Sequence, residues 1–149
     1  MRSISSIVIV LAFTACSSGD GGRTEFNNLE NALTSLANAP EADWIDQLGK
    51  IEQMEIADPG VREVRNLCVS AYQAFGAATV KLHEARGQVA AVESSLDTQR
   101  DSGVDALSSL KKTAQAAVDD VTNSLDKAER LVKSCAERRT SLRNEMAAR

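Results

Sequence analysis

Histidine occurs once in this chain, at His83, and proline only twice, at Pro40 and Pro59. With one histidine and no CxxC pair, the standard His/Cys metal centres have no ligand set. No glycine-rich loop precedes a helix to cradle a phosphate, and the Ser94-Ser95 and Ser108-Ser109 pairs have no base nearby in the chain. An enzyme is not expected, nor is a cofactor or a small-molecule substrate. A surplus of positive charge is also missing: 17 Lys and Arg stand against 21 Asp and Glu, a net charge of −4, which argues against nucleic acid as a partner. Aromatic residues make up 3% of the chain, too few for a large globular core. What remains is the composition of slender helices packed through small side chains.

Two long heptad repeats fill the second half of the chain. From Val61 the apolar positions step by three and four without a break: Val61, Val64, Cys68, Ala71, Phe75, Ala78, Leu82, Ala85, Val89, Val92, Leu96. After Asp101-Ser102-Gly103 the stepping restarts at Val104 and Leu107 and runs through Ala114, Val121, Ala128 and Cys135 to Met146, with Lys111 and Arg139 as polar members. Asp-Ser-Gly is turn chemistry. If the chain folds back there, Cys68 and Cys135 lie opposite each other, because they are equidistant from the midpoint between Asp101 and Ser102. The same register sets Phe75 against Ala128, Ala78 against Leu125 and Ala85 against Val118. Large faces small repeatedly, as in two closely approaching helices. The rival reading is one continuous helix pairing Cys68 with Cys135 between chains; its stripe past Leu96 (Gly103, Ala106, Leu110) is weaker.

The N-terminus reads as a targeting segment. Arg2 supplies a positive charge and Ile4 to Phe13 is an apolar run too short to span a bilayer. It ends in Phe13-Thr14-Ala15-Cys16, followed by Ser17-Ser18-Gly19-Asp20-Gly21-Gly22. Thr14, Ala15 and Cys16 resemble the lipobox of bacterial lipoprotein precursors; Phe13 departs from it, since leucine is usual there. The resemblance implies cleavage before Cys16, acylation of that cysteine, and, with Ser17 behind it, sorting to the outer membrane, the domain facing the periplasm. The alternative is ordinary cleavage after Ser17, giving a soluble periplasmic protein. If lipid occupies Cys16, Cys68 and Cys135 remain as a pair in an oxidising compartment. Their alternative state is two reduced, buried thiols.

These readings predict residues 1–15 as signal peptide, 16–23 as a lipidated flexible tether, and 24–149 as a single all-α domain. Within it, 24–57 is an arm kinked at Pro40, carrying the stripes Phe26-Leu29-Leu33-Leu36 and Trp44-Leu48-Ile51. Asp58 caps, and Pro59 starts, the first hairpin helix, 59–100; the second covers 103–148. The expected fold is a long antiparallel coiled-coil hairpin, its base thickened by the arm into a three-helix bundle, with a thin two-helix tip. The tip residues Val92, Leu96, Arg100, Asp101, Leu107, Leu110 and Lys111 are the candidate contact surface for a protein partner that docks by helix packing. His83 falls on the solvated face. The basic run Arg130, Lys133, Arg138, Arg139, Arg143, Arg149 suits either the helix C-terminus or anionic envelope material. The expected role is a scaffold, adaptor or accessory subunit of an envelope assembly. The alternatives are a holdase- or pilotin-like client binder and a surface-exposed recognition lipoprotein.

Overall fold

The computed structural model describes residues 18–98 and 104–148. Among these the chain is helical, with no strand: α1 is Ser18–Ala37, a 3-10 turn covers Glu41–Asp43, α2 is Trp44–Glu52, α3 is Pro59–Thr98 and α4 is Val104–Ala147. α3 and α4, of 40 and 44 residues, each extend about 60 Å. They pack against each other along their length and run antiparallel, as Arg138 on Glu63 near one end and Lys81 on Asp120 near the middle require. Cys68 and Cys135 form a disulfide within the chain, their Cα atoms 4.9 Å apart. The continuous-helix rival is thereby displaced: α3 packs on this chain's own α4, and Cys68 bonds to Cys135 of the same chain. The turn at Asp101–Gly103 lies outside the described residues.

Asp58 and Pro59 act as the sequence predicts. The Asp58 carboxylate accepts the backbone N–H groups of Gly60 at 2.8 Å and Val61 at 3.0 Å, satisfying donors that the first helical turn leaves free. Glu25 of α1 in turn accepts the N–H groups of Ala57 and Asp58. Arg62 and Arg65 donate to the carbonyls of Glu52, Met54, Ile56 and Ala57, tying the end of α2 and the loop after it to α3.

Two expectations about the arm need correction. It does not kink at Pro40 but reverses. α1 rises from the base, where Gly22 meets the Asp58 side chain and Arg23 donates to the Met146 carbonyl. It ends near Trp44, and α2 descends again until Met54 and Ile56 meet Arg65 and Arg62. Pro40, whose ring bars a continuing helix, starts the 3-10 turn that makes the reversal. The lower half is therefore built from four helices, not three. In addition α1 begins at Ser18, not Thr24, so residues 18–23 of the expected tether are helical. The Gly22 and Arg23 contacts hold that first stretch against the ends of α3 and α4.

The core sits in this lower half. Phe26, Leu29, Leu33 and Leu36 of α1, Leu48 and Ile51 of α2, and Val61, Val64 and Cys68 of α3 form one buried cluster with Cys135, Leu142 and Met146 of α4. It stops at Ala71. Trp44 closes its upper end, its ring centroid 6.2 Å from Tyr72 and 5.7 Å from Phe75, and its indole N–H on the Ala39 carbonyl at 3.0 Å.

Candidate functional site: the bare flank of the upper hairpin

Among the described residues only α3 and α4 continue above Trp44, and their seam is lopsided. On one side Ala78 and Ala85 of α3 and Ala114, Val121 and Ala128 of α4 are buried. Their small side chains let the helices approach, and Lys81 spans this side to reach Asp120 and Ser124. On the other side the larger members of the same layers stand out: Phe75, Val89 and Leu96 of α3 with Val118, Leu125 and Val132 of α4, each between 37% and 54% exposed. A soluble surface scatters single apolar residues; here they form two rows at seven-residue spacing.

The lower half shows which flank this is. Phe75, Tyr72, Val132 and Ala136 line one cleft together with Ala37 and Trp44 of the arm. In a heptad repeat, residues seven apart stay on one flank of the supercoil. Leu82, Val89 and Leu96 thus prolong the row of Phe75, and Leu125, Val118 and Lys111 that of Val132. The arm covers this flank at the base and leaves it bare above.

The predicted tip residues divide accordingly. Leu96 and Lys111 lie on the bare flank and both are exposed. Val92 is half-buried between the helices, and Leu110, 38% exposed, belongs to the row of Ala117 and Ser124 on the opposite side. They are therefore not one patch. Leu107 lies within α4; Arg100, Asp101 and the predicted lipidation residue Cys16 are outside the described residues. The heptad alone could not distinguish the flanks. The signal lay one position away: small or polar residues flank Leu82, Val89 and Leu125 on the arm side, where the base carries Tyr72.

The seam cations also differ from expectation. Arg139, a polar member of the repeat, turns to α1 and grips Glu30 with two hydrogen bonds, of 2.6 and 2.9 Å. Arg143 adds a third at 2.8 Å and lies over the Phe26 ring. Hydrogen bonding from Arg139 chiefly holds the Glu30 carboxyl below its ordinary pKa, against the opposing effect of burial; the same pair raises Arg139. Arg138 is taken up by Glu63 and Glu145. Three of the C-terminal arginines thus fasten the base rather than present free charge. The clue was Glu30, a carboxylate next to Leu29 on the apolar face of α1.

His83 is exposed, and among the described residues no group of three or more His, Cys, Asp or Glu is placed to hold a metal ion. No described helix is long and apolar enough to cross a membrane. The fold and flank define a class: a disulfide-closed helical hairpin with a covered base and a bare upper seam. Comparison with protein-family models, curated proteins and solved structures finds no match to this chain.

Proposed function

We propose that this protein is a lipid-anchored lipoprotein of the bacterial envelope, facing the periplasm from the outer membrane, and that it works as an interaction module whose upper hairpin docks helices. The observation that carries the docking role is the bare apolar flank, which continues the surface that α1 and α2 already cover at the base. A surface that packs amphipathic helices below has the same row spacing and the same alternation of large and small residues above. Support for the anchor comes from Phe13-Thr14-Ala15-Cys16, two residues ahead of the start of α1. A lipid there confines the protein to two dimensions and raises its local concentration for any partner.

Cys16→Ala tests the anchor: the chain should leave the membrane fraction, and full membrane retention would refute lipidation. Photocrosslinking in intact cells from Leu96, compared with Val80 on the outer face, tests the docking surface. A discrete adduct from Leu96 and none from Val80 is expected. Equal, diffuse labelling from both positions would remove the interaction reading.

A further inference from the structure

The bare flank can be measured over the described residues. Trp44 closes it at Phe75 and α3 is described to Thr98, a run of about 35 Å at 1.5 Å per residue. Val89 is the central member of its row there, Leu82, Val89 and Leu96. Six side chains that each show a third to a half of their surface amount to about 400 Å² of apolar area, within the range of the largest patch on a typical monomer, one that is often functional. Whatever covers it must have a matching length, and must avoid the elbow of the arm.

We propose that the occupant is the same flank of a second copy of this chain, packed antiparallel about a two-fold axis at Val89. This rests on the reading of the upper hairpin as a docking surface and names its partner. A parallel pair is excluded by shape, because both arms would then occupy one space. In the antiparallel pair α3 faces α3. Val89 then meets Val89 of the other copy, and Leu82 meets Leu96 in the isologous manner of a two-fold interface.

The charges beside the stripe agree with this register. Arg86 and Glu93 are exposed and extend the row of Tyr72 at heptad spacing, so they border the bare flank. The axis at Val89 carries Arg86 of each copy opposite Glu93 of the other. On α4, Lys112 and Asp119 are exposed and centred at nearly the same level, so they too come together with opposite sign. Between them Gln115 and Thr122, without charge, border the stripe on α4, and Lys111, within the row itself, falls near Val118 of the other copy. The end of each partner's α3 arrives near the elbow, where Ile45, 85% exposed, is the most exposed large apolar side chain described. The pair would be about 90 Å long with one N-terminus toward each end. Tethered by lipid, it would lie along the membrane.

The test uses the full chain in its own membranes with the Cys68–Cys135 bond intact. Val89→Cys, at the axis, is compared with Val80→Cys, which is 58% exposed on the outer face, under mild oxidation. V89C should give a disulfide-linked dimer and V80C should not. Arg86→Glu in the V89C chain sets like charges together twice across the axis and should lower the dimer yield about fivefold. Adding Glu93→Arg should restore it. A V89C yield no greater than that of V80C overturns self-pairing, and so does a dimer indifferent to R86E. If self-pairing fails while Leu96 still crosslinks to a different protein, the docking role stands with another partner; if Leu96 captures nothing, both readings fall.

Discussion

The two halves of the hairpin are written in the same heptad and end in different states. Below Trp44 the seam positions Val61, Cys68 and Met146 are buried, because α1 and α2 lie over the flank that two helices alone leave open. Above it Phe75, Val89, Leu125 and Val118 occupy equivalent positions and remain substantially exposed. Two helices can bury only one side of a seam made of alternating small and large residues. The small side closes and the large side overhangs. A heptad therefore specifies pairing and register, while a third layer decides whether the paired seam becomes a core. Among the described residues the base has that layer and the upper hairpin lacks it.

The largest effect that can break this contrast comes from the staple. Cys68→Ser with Cys135→Ser opens a loop with 67 residues of sequence separation, which chain-entropy reasoning values at about 4 kcal/mol. Urea unfolding should show that loss with the midpoint falling sharply. Next is the core itself: Leu33→Ala, at a site 2% exposed, should cost about 3 kcal/mol, whereas Leu96→Ala, 54% exposed, should stay below about 1 kcal/mol. Equal losses at the two sites would mean that the upper flank is covered in solution, as a stable dimer would require. Repeating the Leu96→Ala measurement across protein concentrations separates these cases, since only a dimer makes the loss concentration-dependent.

An intermediate effect belongs to Glu30. Its folded pKa is depressed by the hydrogen bond from Arg139, so its contribution is present above the ordinary carboxylate value of 4.5 and is lost as pH falls through the lower, folded value. Stability should decline on acidification in that window more steeply in the native chain than in Glu30→Gln. The substitution itself should cost about 1–2 kcal/mol near neutral pH, because charge-assisted bonds to two arginines are lost around a half-buried site. An unchanged acid limb would show that the arm is held by apolar packing alone.

How much of this was legible beforehand follows from range. The hairpin register, the Cys68–Cys135 bond and the Asp58 cap could be read because each depends on local spacing or on a symmetry of two repeats. The reversal of the arm could not. Pro40 breaks a helix whichever way the chain then turns, and the direction is set by contacts distant in sequence: Trp44 on Phe75, Glu25 on the Ala57 and Asp58 amides, and Arg139 on Glu30. For the same reason the tip residues were grouped by number. Leu96 and Leu110 looked equivalent until the arm showed which flank of the seam it covers.

The smallest expected effect concerns the closed side of the upper half. Lys81 lies 2.8 Å from Asp120 and 3.1 Å from the Ser124 hydroxyl, the one ion pair between α3 and α4 found there among the described residues. Both charged side chains are well exposed, so water and salt screen the attraction, and Lys81→Ala should cost no more than about 0.5 kcal/mol, less in 0.5 M salt. Ala78→Gln probes the same layer differently. Ala78 is fully buried beside Leu125, and a longer side chain there must push α3 and α4 apart. If the upper half is held by its alanine seam, A78Q should destabilise it by about 2 kcal/mol, more than K81A does, and hydrogen exchange should rise from residue 78 toward the tip while the base stays protected. The reverse order, with the ion pair outweighing the alanine, would mean that polar bridging rather than close approach keeps the two helices together, and the contrast between the halves would need a different cause.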